Sequence, residues 1–188
     1  MIHLFREAGS LQDALSKRRW PFCFIGGIAL QQWGEPRVTR DVNVSVFTGF
    51  GGEAAVVDAL LDLYGPRLSD ARAFALRYRV LLLRTASGVE IDVALAGLPF
   101  EAELIARAVT VEFEKGVMLR ICTAEDLLVL KAFADRPQDR ADVIGIARRR
   151  GTDLDWTAVA ARLTPLAKAK EAPDIVRRVQ ELQREFGG

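Results

Sequence analysis

Asp41-Val42-Asn43-Val44-Ser45-Val46 alternates polar and apolar residues strictly, and a period of two predicts a half-buried β-strand with Asp41, Asn43 and Ser45 on one face. Phe22 to Ile25 is instead a short continuous apolar run closed by Gly26-Gly27, which predicts a buried strand entering a tight turn. Ile28 to Trp33 then reads as helix, ended by Gly34 and Pro36. Upstream, Ser10 and Asp13 resemble a capping box, and Leu11, Ala14 and Leu15 supply an apolar helical face. A short opening helix is therefore expected from about Ser10 until Trp20-Pro21.

Further along, Glu53 to Tyr64 has helical spacing and closes with Gly65-Pro66. Leu76 to Arg84 predicts a strand, and Gly88 turns the chain into a second, Val89 to Val93, on which Glu90 and Asp92 share the polar face. A short helix over Glu101 to Ala108 precedes a hairpin of Val109 to Phe113 and Val117 to Ile121, joined through Lys115-Gly116. Thr123 and Asp126 cap a helix reaching about Ala134, and Pro137 suits the first turn of another ending near Gly151. Two helices remain, the last with Ile175, Val179, Leu182 and Phe186 as its apolar stripe. The first clear linker falls at roughly Thr164 to Pro173, and no internal repeat is visible.

Composition narrows the chemistry. The chain has 188 residues, 50% hydrophobic and 27% charged, which suits one compact globular domain. Lys plus Arg total 26 against 25 for Asp plus Glu, so no global charge draws it to nucleic acid or an anionic membrane, and any basic site must be local. His3 is the only histidine and is placed in a segment expected to fray, which argues against a Ser-His-Asp triad. Cys23 and Cys122 stand alone, so structural zinc and a disulfide framework are set aside, and both read as buried small hydrophobes of a reducing compartment. With no secretory signal visible and no apolar run of about 18 residues, a cytoplasmic protein without a membrane span is expected.

The candidate chemistry lies between Gly26 and Asn43. A strand turning through two glycines into a helix offers backbone N–H groups to phosphate oxygens. Asp41 and Asn43 share a strand face, about 7 Å apart, and Asp92 follows the same polar-out pattern on another strand. If those strands pair, Asp41, Asn43, Glu90 and Asp92 converge on one patch. Two carboxylates about 4 Å apart repel by roughly 4 kcal/mol at an effective dielectric near 20, a cost that a divalent cation removes. Oxygen donors without histidine or thiolate indicate magnesium or manganese.

Other motifs have plainer readings. Gly49, Gly51 and Ala54 fit a relaxed dinucleotide fingerprint, but the strand before them is polar on one face and no βαβ succession follows. Arg37 and Arg40 flank the candidate site and could meet phosphates or form surface pairs. Arg148, Arg149 and Arg150 fit complementation of a helix C-terminus better than an RNA-binding patch.

The segment FIGGIALQQWGEPRVTRDVNV, with its paired glycines, helix, Gly34, Arg37, Thr39 and Asp41, resembles the first motif of the nucleotidyltransferase superfamily that includes DNA polymerase beta, and within it the abortive-infection and minimal nucleotidyltransferase toxin branch. Leu127, Lys131, Ala134, Arg136, Pro137, Asp139 and Asp142 resemble that branch's later helical motif, in which a lysine helps hold the triphosphate. With VEIDV, the resemblance spans about residues 22 to 147. It implies an α+β nucleotidyltransferase fold, a mixed sheet with packed helices, residues 1–122 forming the α/β core and 123–188 a helical portion of one continuous domain. It also implies a nucleoside triphosphate donor, Mg2+ or Mn2+, and an acceptor that is RNA, protein or a small molecule. A toxin-like role would bring an antitoxin protein as partner.

Under that resemblance Asp41, Asn43 and Asp92 are the catalytic and metal-ligating residues, Asp92 also being the candidate general base. Gly26, Gly27, Arg37, Thr39 and Lys131 bind the nucleotide. The family's first motif ends in two aspartates separated by one residue, and this chain has Asn43 in the second place. An amide oxygen brings no charge, so ion affinity should fall. Engineered inactivation, a natural pseudoenzyme and rescue by Glu90 are all open explanations, and a catalytically inactive nucleotide-binding or interaction module is the alternative reading. Gln138 is a second departure, where the family often has lysine.

Overall fold

The computed structural model describes residues 2–188. The chain divides into two compact units, one made of the part up to Ile28 with Val38–Cys122, the other of Ala29–Arg37 with Thr123–Gly188. The first unit holds α1 (Ile2–Lys17), β1 (Phe22–Phe24), the first turn of α2 (Gly26–Trp33), β2 (Asp41–Phe47), α3 (Glu53–Leu61), β3 (Gly65–Pro66), α4 (Ala71–Tyr78), β4 (Val80–Arg84), β5 (Glu90–Ala96), α5 (Pro99–Ala106), β6 (Val109–Glu114) and β7 (Val117–Ile121). The rest of α2 belongs to the second unit, with α6 (Ala124–Ala134), α7 (Pro137–Arg150), α8 (Trp156–Ala169) and α9 (Asp174–Phe186).

The strands form one seven-stranded sheet in the order β3-β4-β5-β2-β1-β7-β6. It is mixed: β2 runs parallel to β5 and β1 to β7, while the remaining neighbours are antiparallel. This is the expected α+β class. Val42, Val44 and Val46 of β2, Ile91 and Val93 of β5, and Leu81 and Leu83 of β4 are fully buried on one sheet face. A slip of one residue would expose that set and bury Asp41 and Asn43, so burial at about 1.5–3 kcal/mol per side chain fixes the register. The opposite face of the same strands carries Asp41, Asn43 and Ser45 of β2, Glu90 and Asp92 of β5, and Arg84 of β4.

Four local expectations give way to tertiary context. Helix α1 starts well before Ser10, because Leu4, Phe5 and Ala8 extend the buried stripe of Leu11 and Leu15, and Ser10 Oγ donates to the Arg6 carbonyl inside the helix rather than capping it. His3 therefore lies on a helix and not in a frayed end. Leu76 to Tyr78 ends α4 rather than opening a strand; Arg79, at φ 58°, then turns the chain into β4. Gly65-Pro66 is more than a helix stop, since it pairs with Arg84 and Leu83 as a two-residue edge strand. Finally, α8 runs through Thr164 and Pro165, where the sequence predicts a linker to begin, because Val159, Leu163 and Ala167 bury at helical spacing on both sides of the proline.

In the second unit, α6 packs against α7 and α8, and α8 against α9. Thr123 Oγ1 accepts from the Asp126 amide at 3.2 Å, the cap expected from the sequence, and Pro137 opens α7. Ile175 and Val179 of the α9 stripe are buried. No helix among the described residues is long and apolar enough to cross a membrane.

Candidate functional site

The turn after β1 is shaped by contacts that only glycine permits. Gly26 has φ 60°, and a Cβ there would stand 3.0 Å from Asn43 Cβ and 3.1 Å from its Cγ. At Gly27 a Cβ would come within 2.1 Å of Thr39 Oγ1. The Ile25 amide donates to the Asn43 carbonyl at 2.9 Å, so the turn is tied directly to β2. Helix α2 begins at Gly26 itself, which places both glycines in its first turn.

Thr39, buried to 6% exposure, fills the space beside Gly27 and donates its hydroxyl to Asp41 Oδ1 at 3.2 Å. Asn43 donates Nδ2 to the other Asp41 oxygen, Oδ2, at 2.7 Å. Both carboxylate oxygens of Asp41 thus accept from neutral groups two residues away along the chain.

Strand pairing brings the second carboxylate row alongside. In the parallel β2–β5 register Asp41 is the partner of Glu90, and Asn43 of Asp92. Paired positions point the same way, so Asp41, Asn43, Glu90 and Asp92 occupy one polar face, with Asp41 and Asp92 diagonal to each other. On β4 the partner of Asp92 is Leu82 and that of Glu90 is Arg84, so only Arg84 extends the polar row.

This row carries its own cations. Arg67, just past β3, hydrogen-bonds its backbone N–H to the Leu82 carbonyl and reaches across β4 with its side chain. Its Nη1 donates to Asp92 Oδ1 at 2.5 Å and lies 3.6 Å from Glu90 Oε2. Arg84 Nη2 donates to Glu90 Oε1 at 2.9 Å. Asp92 and Glu90 are therefore paired within the protein by guanidinium groups, while the partners of Asp41 are neutral. No local pattern marks Arg67: it follows a Gly-Pro pair that reads as punctuation, and only the β3–β4–β5 pairing brings it near Asp92.

Among the described residues no three histidine, cysteine, aspartate or glutamate side chains gather to hold a metal ion. Asp41 and Asp92 nonetheless offer two carboxylates on one half-exposed face. A magnesium ion is commonly held by one or two carboxylates and takes its remaining oxygens from water and phosphate, so the donor set fits one hard, open-sided ion rather than a closed cage. Asn43, as placed, turns its amide nitrogen to Asp41.

The second unit has an ionic cluster of a different kind. Lys131 Nζ, on α6, lies 2.8 Å from Asp139 Oδ1 and 2.8 Å from Asp142 Oδ2 of α7. The lysine side chain is 9% exposed and the carboxylates 2% and 4%. Arg37 meets Asp142 through Nε at 3.1 Å and Nη2 at 3.2 Å, Arg136 Nε donates to Asp139 at 2.5 Å, and Gln138 Nε2 donates to Asp142 at 3.1 Å. Burial pushes the Asp139 carboxyl up, but hydrogen bonds from Arg136 and Lys131 outweigh it and hold the group below the usual aspartate range. Asp142 is likewise raised by burial and lowered further by Arg37, Lys131 and Gln138, with a net fall.

Of the residues singled out by sequence, Gly26, Gly27, Thr39, Asp41, Asn43 and Asp92 come together in the first unit, and Arg37 and Lys131 meet in the second. Arg40 is exposed. The arginines closing α7 have partners at and just after the end of α2: Arg148 pairs with Glu35, Arg149 donates to the Gly34 carbonyl, and Arg150 lies over the Trp33 ring.

No protein-family model matches the sequence, and no curated protein matches it at a significant level. Solved structures do match the fold. An antigenic nucleotidyltransferase-like protein from Paracoccidioides brasiliensis is similar with a TM-score of 0.54 at 13% identity, over 94% of this chain and 92% of that one. The antibiotic-resistance factor ANT(2'')-Ia is similar with a TM-score of 0.54 at 16% identity, over 89% of this chain and 91% of that one. The likeness is one of architecture, and it gives this chain the α+β fold of nucleotidyltransferase-like proteins.

Proposed function

We propose that this protein is a metal-dependent nucleotidyltransferase, moving a nucleotidyl group from a nucleoside triphosphate to an acceptor hydroxyl. The observation that supports this most is the pairing of β2 with β5, which sets Asp41 and Asp92 on one face beside a positive-φ glycine turn. Asp41 and Asp92 would hold Mg2+ or Mn2+. When bound, the ion supplies positive charge against the negative charge developing on the transferred phosphoryl group. The amides of Gly26 and Gly27, at the N-terminus of α2, orient phosphate oxygens. Asp92 takes the proton of the attacking hydroxyl as its oxygen bonds to the α-phosphorus and diphosphate leaves.

Asn43 weakens this machinery by removing a carboxylate, so the direct test uses the Asn43→Asp form with labelled nucleoside triphosphates, Mg2+, and RNA, protein and small-molecule acceptors in separate reactions. Label should move to one acceptor class and stop moving on further substitution of Asp41 by Ala. Equal labelling with and without Asp41 would remove the basis of the proposal. A triphosphate-binding role for Lys131 is tested by nucleotide affinity in Lys131→Arg. The toxin-like role rests on the motif resemblance alone; growth arrest by the Asn43→Asp form, relieved by a co-expressed antitoxin, is its measurement.

A second reading is favoured by the partners that the carboxylate row already has within the protein. Asn43 on Asp41 and Arg67 on Asp92 suit a nucleotide-binding module without catalysis. In that case nucleotide affinity hardly responds to Mg2+, and the Asn43→Asp form transfers nothing.

A further inference from the structure

Arg67 is the residue that the strand face leaves to be explained. It is not on either carboxylate-bearing strand, yet its guanidinium spans β4 to rest on Asp92 and near Glu90. Its side chain is 22% exposed, and those of Asp92 and Glu90 are 33% and 43%. The row is wet enough for partners to exchange, unlike the Lys131 cluster. Counting unit charges, Asp41, Glu90 and Asp92 give −3 and Arg67 and Arg84 give +2, a net −1 on the face with Asn43 neutral. Removing Arg67 alone would double that negative charge.

We infer that Arg67 is a tethered counter-cation for Asp92, which a divalent ion must displace in order to bind, so that this arginine sets the site's ion affinity. The inference rests on the proposed metal-dependent reading and adds to it a positioning residue outside both motifs. The argument is one of competition. Asp92 Oδ1 cannot donate its lone pairs fully to a hard cation while it accepts a charge-assisted hydrogen bond at 2.5 Å. A guanidinium held beside a dication is also repelled by it, and removing a unit charge near such a site raises ion affinity by about tenfold at solvent-like screening. Arg67 is well suited to swinging aside. Its backbone is fixed by the Leu82 carbonyl at 3.0 Å and by the short β3–β4 pairing, so only the side chain needs to move, and triphosphate oxygens offer it an alternative bidentate partner.

The test is direct Mn2+ binding, followed by electron paramagnetic resonance of the free ion, in the wild type, Arg67→Gln, Arg67→Lys and Asp92→Ala, with thermal unfolding of each as a folding control. Arg67→Gln should bind Mn2+ about tenfold more tightly, Arg67→Lys should stay near the wild type because the charge is retained, and Asp92→Ala should bind more weakly. Asp92-dependent binding that is unchanged or weakened in Arg67→Gln would overturn the role of Arg67 while leaving the metal site standing. Binding indifferent to Asp92 would instead remove the metal site, and the inference with it. If Arg67→Gln unfolds at a much lower temperature, the Arg67→Lys form decides: wild-type stability together with tightened Mn2+ binding would contradict a charge-based role.

Discussion

The carboxylate row on β2 and β5 and the cluster around Lys131 use nearly the same side chains, aspartates with arginines and one amide, yet they differ sharply in their access to water. On the strands, Asp92 and Glu90 are a third or more exposed, and their guanidinium partners can give way to water. Around Lys131 the carboxylates are almost sealed, and each is bound by a lysine and an arginine together. Exposure, more than composition, separates them. A half-solvated charge can exchange its partner at small cost, which ion or nucleotide binding requires, while a buried charge has been desolvated for good and tolerates no loss of its neighbours.

The largest effect should come from breaking the sealed cluster. Lys131→Met leaves Asp139 and Asp142 buried beside an apolar chain, and unfolding in urea should show a loss of about 3–5 kcal/mol. A loss below about 1 kcal/mol would mean that the cluster is as exchangeable as the strand row. Next is the turn that ties the glycines to β2. Gly27→Ala drives a methyl group into Thr39, which sits within 2.1 Å of that position, and should cost about 1–3 kcal/mol by the same measurement.

Acid should then act on the sealed cluster in a graded way. Asp139 and Asp142 are held below the usual aspartate value when folded, whereas the unfolded chain takes up protons near pH 3.9. Below that pH the unfolded state binds more protons, so the stabilisation from both groups is intact at pH 5 to 7 and declines as pH falls below about 4. Thermal unfolding between pH 2.5 and 6, compared with the same series in Asp142→Asn, checks the sign. The smallest change in stability should follow Asp92→Asn, under about 1 kcal/mol, because Arg67 returns to water. In the Asn43→Asp background the same substitution should lower nucleotidyl transfer by about a hundredfold or more. That split between stability and activity is what the comparison predicts for the strand face and not for the buried cluster.

Much of the sheet could be read from residue order. The alternation from Asp41 to Val46 gives both the strand and its wet face, and the Thr123 cap and the hairpin around Gly116 follow from short-range chemistry. Helix α4 is not legible in the residue order because it buries only Ala71 and Ala75 and so has almost no apolar stripe. The start of α1 differs from its local signal for the reverse reason: a capping pattern at Ser10 is overruled by a longer buried face. The site shows the same division. Gly26, Gly27, Asp41 and Asp92 stand in recognisable patterns, while Arg67 does not.

By itself, then, the sequence determined which side chains share a strand face, because backbone geometry alternates their direction whatever the rest of the chain does. Only the tertiary structure decided that β5 lies beside β2 and that an arginine from beyond β3 crosses β4 to Asp92. Those contacts join residues 25 and 49 positions apart, and they exist because burying Val42, Ile91 and Leu83 together outweighs the entropy of closing the loops between them.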